Sequence, residues 1–202
     1  MRLHRLGWIG AAFAALVALV PAGPAAAHPH IFIKATATLE FEGGKLVGVT
    51  QEWEFDEFFS NALIEDFDKD KSKKFEPAEI QAIEKEAFKA LDEFGYFTHA
   101  RVAGKPAPIK AYRGFTAEIR QGKVVYRFTA LLPEPADPRA GRVEIGLFDD
   151  TYYVDVEIVA AGGVKLAGAG SAGCKHSIAE DRAKPLFFGA AYPRFIALDC
   201  AA

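Results

Sequence analysis

Ile31, Ile33, Ala35, Ala37, Leu39 and Phe41 alternate with mostly polar neighbours, the period of two that marks a half-buried strand. Glu42-Gly43-Gly44-Lys45 then predicts a turn, and Leu46 to Phe55 the returning strand. The period changes after that. Phe59, Leu63 and Phe67, with Phe58 and Ala62 beside them, recur at helical spacing, and so do Ile80, Ile83, Ala87, Leu91 and Phe94. A short, highly charged loop separates the two predicted helices. From Tyr96 the pattern returns to strands. It predicts Phe97 to Val102, a turn at Ala103-Gly104-Lys105-Pro106, and a hairpin from Ile109 to Ile119 and Lys123 to Leu132 about Gln121-Gly122. Pro133 to Gly141 holds three prolines and predicts an exposed loop, before strands at Arg142 to Phe148, Tyr152 to Val159 and Val164 to Leu166. This order predicts an α+β fold, an antiparallel β sheet or sandwich carrying a helical insertion over residues 57–95.

One apolar stretch shows neither period. Met1-Arg2 and Arg5 precede an apolar run from Trp8 to Val20, and Ala25-Ala26-Ala27 closes it. A basic start, an apolar core and an Ala-x-Ala ending describe a secretory signal peptide over residues 1–27, cut after Ala27, with the periplasm as destination. Residues 28–202 are then a single domain of ordinary globular composition. Removing Arg2 and Arg5 from the 24 basic residues, against 27 acidic ones, leaves a formal charge of −5. That balance argues against nucleic acid and against an anionic membrane as partners. No later run is apolar enough to predict a transmembrane segment.

The charged loop runs Asp68-Lys69-Asp70-Lys71-Ser72-Lys73-Lys74-Phe75-Glu76-Pro77-Ala78-Glu79 and fits the EF-hand pattern for Ca²⁺. Asp68, Asp70 and Ser72 supply oxygen side chains at positions one, three and five. Lys74 supplies its carbonyl at seven, and Glu76 and Glu79 stand at nine and twelve. Lys73 departs from the pattern, which has glycine there. The competing reading is a solvated charged turn with Glu76-Pro77 opening the second helix.

Cleavage after Ala27 would expose His28 as a free terminal histidine, with Pro29 and His30 following. The α-amine and ring of His28 form a chelate, and His30 adds a third nitrogen. Pro29 has no amide N–H, so the square-planar mode that uses a deprotonated second amide is closed. Imidazole ligands suit Zn, Ni, Co or Cu. His99, His176, Asp56, Asp149 and Asp150 are weaker candidates to complete the set. Asp56 is first an N-cap candidate, and Asp149-Asp150 first an Asp-rich turn. The alternative for the two histidines is a merely polar terminus.

Cys174 and Cys200 are the two cysteines. In an oxidising compartment they predict a disulfide closing a loop of about 25 residues, worth roughly 3 kcal/mol. A thiolate metal site of Cys174 with His176 competes with it. Gly168-Ala169-Gly170-Ser171-Ala172-Gly173 has the Gly-x-Gly-x-x-Gly spacing but no βαβ context, and predicts a flexible loop rather than a nucleotide site. No nucleophile elbow and no His-Glu-x-x-His motif occurs, so no catalytic residue is predicted.

Four segments together resemble a bacterial family, domain of unknown function 1007. They are His28-Pro29-His30-Ile31-Phe32, Trp53-Glu54-Phe55-Asp56-Glu57, the Asp68 to Glu79 loop and Asp149-Asp150-Thr151-Tyr152-Tyr153. The resemblance implies the periplasmic component of an uncharacterised transport system, linked with membrane transporters of the nickel/cobalt exporter type. It implies transition-metal binding rather than catalysis. Two other readings stand beside it. One is a calcium-stabilised structural or interaction module of the cell envelope, and the other a copper enzyme with an N-terminal histidine centre.

Overall fold

The computed structural model describes residues 29–201. The predicted signal peptide and His28 lie outside them. Within them the chain is mostly strand, in two sheets, with a helical segment between the second and third strands. That arrangement agrees with an α+β fold.

The first sheet has the order β5 (Ala111–Arg120), β6 (Lys123–Ala136), β2 (Lys45–Phe55), β1 (Ile31–Glu42) and β8 (Val154–Ile158), with β9 (Val164–Gly168) also pairing β1. The second has the order β10 (Cys174–Glu180), β11 (Arg194–Cys200), β7 (Val143–Leu147), β3 (Thr98–Val102) and β4 (Lys105–Pro108). Three hairpins turn on two residues each, Gly43-Gly44, Ala103-Gly104 and Gln121-Gly122, every one at positive φ. Paired positive φ values match the right-handed twist of the strands they join.

The alternation predicted for β1 is the one found. Ile33, Ala35, Ala37, Leu39 and Phe41 are buried, while Lys34, Thr36, Thr38 and Glu40 face outward. On the outer face Arg113 pairs with Glu40 at 2.6 Å, Arg120 with Glu52 at 2.8 Å and Lys123 with Glu54 at 2.8 Å. These are exposed pairs, and each contributes little to stability. The inner face carries the weight. Trp53 is fully buried and meets Phe128 edge-on at 4.7 Å and Phe97 stacked at 5.7 Å. Residues of both sheets, Ile145, Leu147, Ile196 and Leu198 among them, join the same core.

The helical segment opens with α1 (Glu57–Phe67) and α2 (Pro77–Ile83). Asp56 caps α1, its Oδ1 accepting from Phe59 N at 2.9 Å. Beyond α2 the chain leaves α geometry for a π turn (Glu84–Phe88) and 3₁₀ turns (Lys89–Phe97). The predicted second helix therefore stops at Ile83. The widened turn delivers Phe88 into the aromatic core, 4.7 Å from Phe128 and 4.3 Å from Phe115. A regular helix would keep the same apolar spacing, so spacing alone did not distinguish the two.

Two other expectations are corrected. The first sheet is not purely antiparallel, because β8 and β9 run parallel to β1. Pro133 and Pro135 lie within β6, in the stretch where its register against β2 shifts between Leu46 and Gly48, a place that needs no amide donor. The glycine-rich segment leaves β9 as an exposed loop, and two of its glycines lie close against neighbouring backbone. A Cβ on Gly168 would stand 2.1 Å from Phe41 O, and one on Gly170 2.5 Å from Gly44 Cα. Arg139 fastens this corner, donating to the carbonyls of Gly44, Gly170 and Ala201.

Cys174 and Cys200 are bonded to one another across β10 and β11, where they are directly paired. The bond consumes the thiolate that a Cys174/His176 metal site required. Among the described residues no helix is long and apolar enough to cross a membrane.

Candidate metal centre

The loop between α1 and α2 folds its carboxylates inward. Asp68 is 6% exposed, and its two oxygens accept the amides of Ser72 at 2.9 Å and Lys73 at 3.0 Å. Asp70 Oδ1 accepts the Ser72 amide as well. Glu79 reaches back from α2 to accept from Lys69 N at 2.8 Å and Glu76 N at 3.1 Å. Ser72 Oγ touches Lys74 O at 3.2 Å and Glu76 Oε1 at 3.0 Å. One carboxylate oxygen each from Asp68, Asp70 and Glu79 lies within 4.8 Å of the others. Among the described residues no other three His, Cys, Asp or Glu side chains converge so closely.

The electrostatics follow from this crowding. The hydrogen bond shared with Glu79 raises Glu76 above the ordinary glutamate range. The amide and hydroxyl of Ser72 hold Asp70 below the ordinary aspartate range. Lys71 and Lys73 take left-handed backbone, at φ 60° and 63°. The Lys73 amide reaches the Asp68 carboxylate, while the Lys71 amide donates to Asp68 O at 3.3 Å.

Of the second group of predicted residues, His30, Asp56 and Asp149 gather at the start of β1, and among the described residues they form no cluster of three metal-ligating side chains. His30 is exposed; its amide donates to Tyr153 O at 2.9 Å and its ring lies 4.8 Å from the Tyr153 ring. Asp56 is adjacent in the fold, its Oδ2 accepting from Phe32 N at 2.9 Å. Both of its oxygens therefore hold backbone. Asp149 is 3% exposed and accepts from Thr151 N, Thr151 Oγ1, Tyr153 N and Val154 N. It organises the turn that holds His30. Asp150 points away and pairs with Lys184 at 2.7 Å.

His99 and His176 sit on the second sheet. His176 is exposed on the edge strand β10. His99 stacks on Phe148 at 3.8 Å, with Nε2 3.0 Å from Phe148 O. A carbonyl only accepts, so Nε2 carries the proton there. His99 opens onto a cleft of about 350 Å³ whose lining includes Arg101, Lys110, Phe148, Lys184 and Phe195. Arg101 lies 4.0 Å over the Phe195 ring and pairs with Asp181 at 2.8 Å. Sequence reading missed Arg101. Its one signal was the alternation that sets His99 and Arg101 on one face of β3.

Burial pushes the His99 imidazole below its ordinary value of 6.5, against an upward pull from Asp150. Its depressed folded value means that the unfolded chain binds the proton first. Stability is then full above pH 6.5 and is lost as pH falls toward the folded value. Melts across this range should show a falling Tm, and His99→Phe should flatten the profile. An unchanged profile in the variant would assign the acid sensitivity to other groups.

Two sheets with one core, a cross-strand disulfide and an acidic loop between two helices define the class, a mostly β, disulfide-bonded α+β protein. The family described as "Protein of unknown function (DUF1007)" matches residues 13–185, most of the 202-residue chain, and the chain belongs to that family. It is also similar to an uncharacterised 15.5 kDa protein of the trpE 3′ region in Spirochaeta aurantia, at 29% identity over 104 residues, 52% of this chain and 74% of that one.

Proposed function

We propose that this chain is an exported metal-binding accessory of a divalent-metal transport system. In it the Asp68–Glu79 loop is a structural calcium site, and His28 and His30 take a transition metal. The observation that carries the reading is the convergence of Asp68, Asp70 and Glu79 oxygens within 4.8 Å, set between two helices. Hard oxygen donors select Ca²⁺ over soft metals. Glu76 and Glu79 share a hydrogen bond, and Asp70 adds its negative charge to Glu76, so a cation bound among them would take over the role of the shared proton. Lys73 stands at the glycine position of an EF-hand and takes the left-handed backbone that position demands, at φ 63°. The four lysines of the loop oppose a bound cation, so affinity in the range of about 10⁻⁴ to 10⁻³ M is expected.

The exposed His30, fixed by its amide at the head of β1, supports a terminal nitrogen site. The disulfide and the apolar leader support export. Transfer to a membrane transporter of the nickel/cobalt exporter type follows as the family-level expectation.

Thermal melts with calcium and titrations with Zn or Ni test the two halves separately. Calcium at ten times Kd stabilises by about 1.4 kcal/mol, roughly 3–5 °C in Tm for a domain of this size. Glu79→Gln should abolish the shift, and Lys73→Gly should bring it to lower calcium. No shift at about 10 mM calcium would reduce the loop to a solvated turn. For the histidines, protein starting at His28 should bind Zn or Ni more tightly than protein carrying an added Gly-Ser. Equal affinities would remove the terminal amine from the site. Glu79→Gln should leave this second titration unchanged.

A further inference from the structure

We infer that the turn at Phe187-Phe188-Gly189 is a membrane-docking tip that inserts Phe188 into the headgroup region of an anionic bilayer. The turn is built to protrude. Leu186 and Ala191 pair as an isolated bridge, with Leu186 N donating to Ala191 O at 2.9 Å, and the Gly189 and Ala190 amides close the loop. Leu186 is 5% exposed and plugs into a small apolar cluster with Phe148 and Phe195, which anchors the base. Beyond that plug the Phe188 ring is wholly exposed, at 102% of its reference area. Phe187 and Phe188 both hold left-handed backbone, at φ 40° and 56°, a conformation that disfavours aromatic residues. The chain therefore holds Phe188 outward in unfavourable backbone without burying it. Strain of this kind is a reason to look for a function.

Charge identifies the surface that the tip meets. The segment Arg182 to Arg194 contains Arg182, Lys184 and Arg194 and no acidic residue, inside a chain whose net charge is −3; Glu180 and Asp181 directly precede it, Asp181 being taken up by Arg101. Net charge argued against an anionic membrane, but it is a property of the whole chain, and this tip departs from it. Lys184 is engaged by Asp150. Arg182 is 81% exposed, pairs with Glu180 at 3.4 Å, and its guanidinium lies 6.0 Å from the Tyr192 ring. Arg194 is exposed, opposite Glu180 in the β10–β11 register, and Tyr192 is 39% exposed. An exposed Phe, a Tyr and flanking arginines are the side chains that settle at the headgroup level, the ring among acyl ends and the cations on phosphates. The tip also stands near the N-terminal edge. Phe187 lies 6.3 Å from Tyr152, the neighbour of the Tyr153 whose carbonyl holds His30. Docking would bring that edge to the bilayer, a consequence that matters for transport only if the proposed metal function holds.

Sedimentation with vesicles of phosphatidylethanolamine and phosphatidylglycerol tests the tip, using protein recovered from the periplasm and no added metal. Wild type should partition onto the vesicles, and about 0.5 M NaCl should release it several-fold. Phe188→Asp should lower partitioning at least tenfold without lowering Tm, because the ring is fully exposed and aspartate tolerates the left-handed backbone better. Arg182→Gln with Arg194→Gln should weaken binding to these vesicles more than to vesicles of phosphatidylcholine. In Phe188→Trp, tryptophan emission should shift to the blue on adding vesicles, since Trp53 is buried throughout. Failure of wild type to partition overturns the proposal, as does equal binding by Phe188→Asp. Self-association that depends on Phe188, without vesicle binding, would overturn it in favour of a second copy of the chain. None of these outcomes bears on calcium or Zn binding.

Discussion

Asp149→Ala should destabilise the protein by about 3 kcal/mol and loosen the N-terminal edge of the first sheet. Asp149 is almost fully buried and its carboxylate holds four donors, Thr151 N at 2.9 Å, Thr151 Oγ1 at 2.7 Å, and Tyr153 N and Val154 N at 3.1 Å each. Bonds to an ionised acceptor are the stronger kind. Thr151 and Tyr153 are exposed and can turn to water, whereas Val154 is buried and its amide loses its side-chain acceptor. The turn so organised presents Tyr153 O to the amides of His30 at 2.9 Å and Ile31 at 3.3 Å. A Tm lowered by roughly 6–12 °C is expected, together with faster hydrogen exchange at those two amides. Asp149→Asn keeps one acceptor oxygen and should lose about half as much. Unchanged exchange at His30 and Ile31 in the alanine variant would break the link between the turn and the terminal histidine segment.

Trp53→Ala should cost about 4 kcal/mol, the range for removing a fully buried aromatic ring. A narrower substitution separates packing from hydrogen bonding. Trp53 Nε1 donates to Gln51 Oε1 at 2.9 Å, Gln51 Nε2 donates to Thr98 Oγ1 at 2.7 Å, and Thr98 Oγ1 donates to Tyr96 O at 2.9 Å. This relay crosses from the first sheet to the second with every member buried. Trp53→Phe leaves the buried Gln51 oxygen without its donor, at about 2 kcal/mol. Gln51→Leu should then be less harmful in the Trp53→Phe background than in wild type, because the relay is already broken. Strict additivity in this double-mutant cycle would show that the relay does not act as a unit.

The elements readable from sequence were those with one unambiguous period. The alternation of β1 and β2 was clear because only one face of those strands is buried, and Gly43-Gly44 marked their turn. The charged loop between the helices was legible because it interrupts two apolar helical patterns, and the Cys174–Cys200 bond followed from compartment and count. The π and 3₁₀ geometry after Ile83 was hidden, since Ala87, Leu91 and Phe94 keep the spacing of a regular helix. The C-terminal hairpin of β10 and β11 was missed for a different reason. β10 is an exposed edge strand with little apolar alternation, so tertiary pairing rather than pattern makes it a strand. Asp56 and Asp149 were recognisable as cap and turn residues, but their convergence on the His30 segment arises from pairing between distant strands.

That pairing also bears on when the chain acquires its shape. β1 is an interior strand, flanked by β2 on one side and by β8 and β9 on the other, so Ile31 opposes Val154 and Phe41 opposes Gly168. The β1–β2 hairpin can form locally, but its second flank waits for residues made much later, and two-stranded units are marginal alone in water. Contacts this remote in sequence slow folding, because loop closure must precede any reward. A chain emerging amino end first would therefore stay extended until its last third had appeared. Under the proposed export, that delay would keep the polypeptide competent for passage across a membrane, and the cross-strand disulfide would close only after passage was complete.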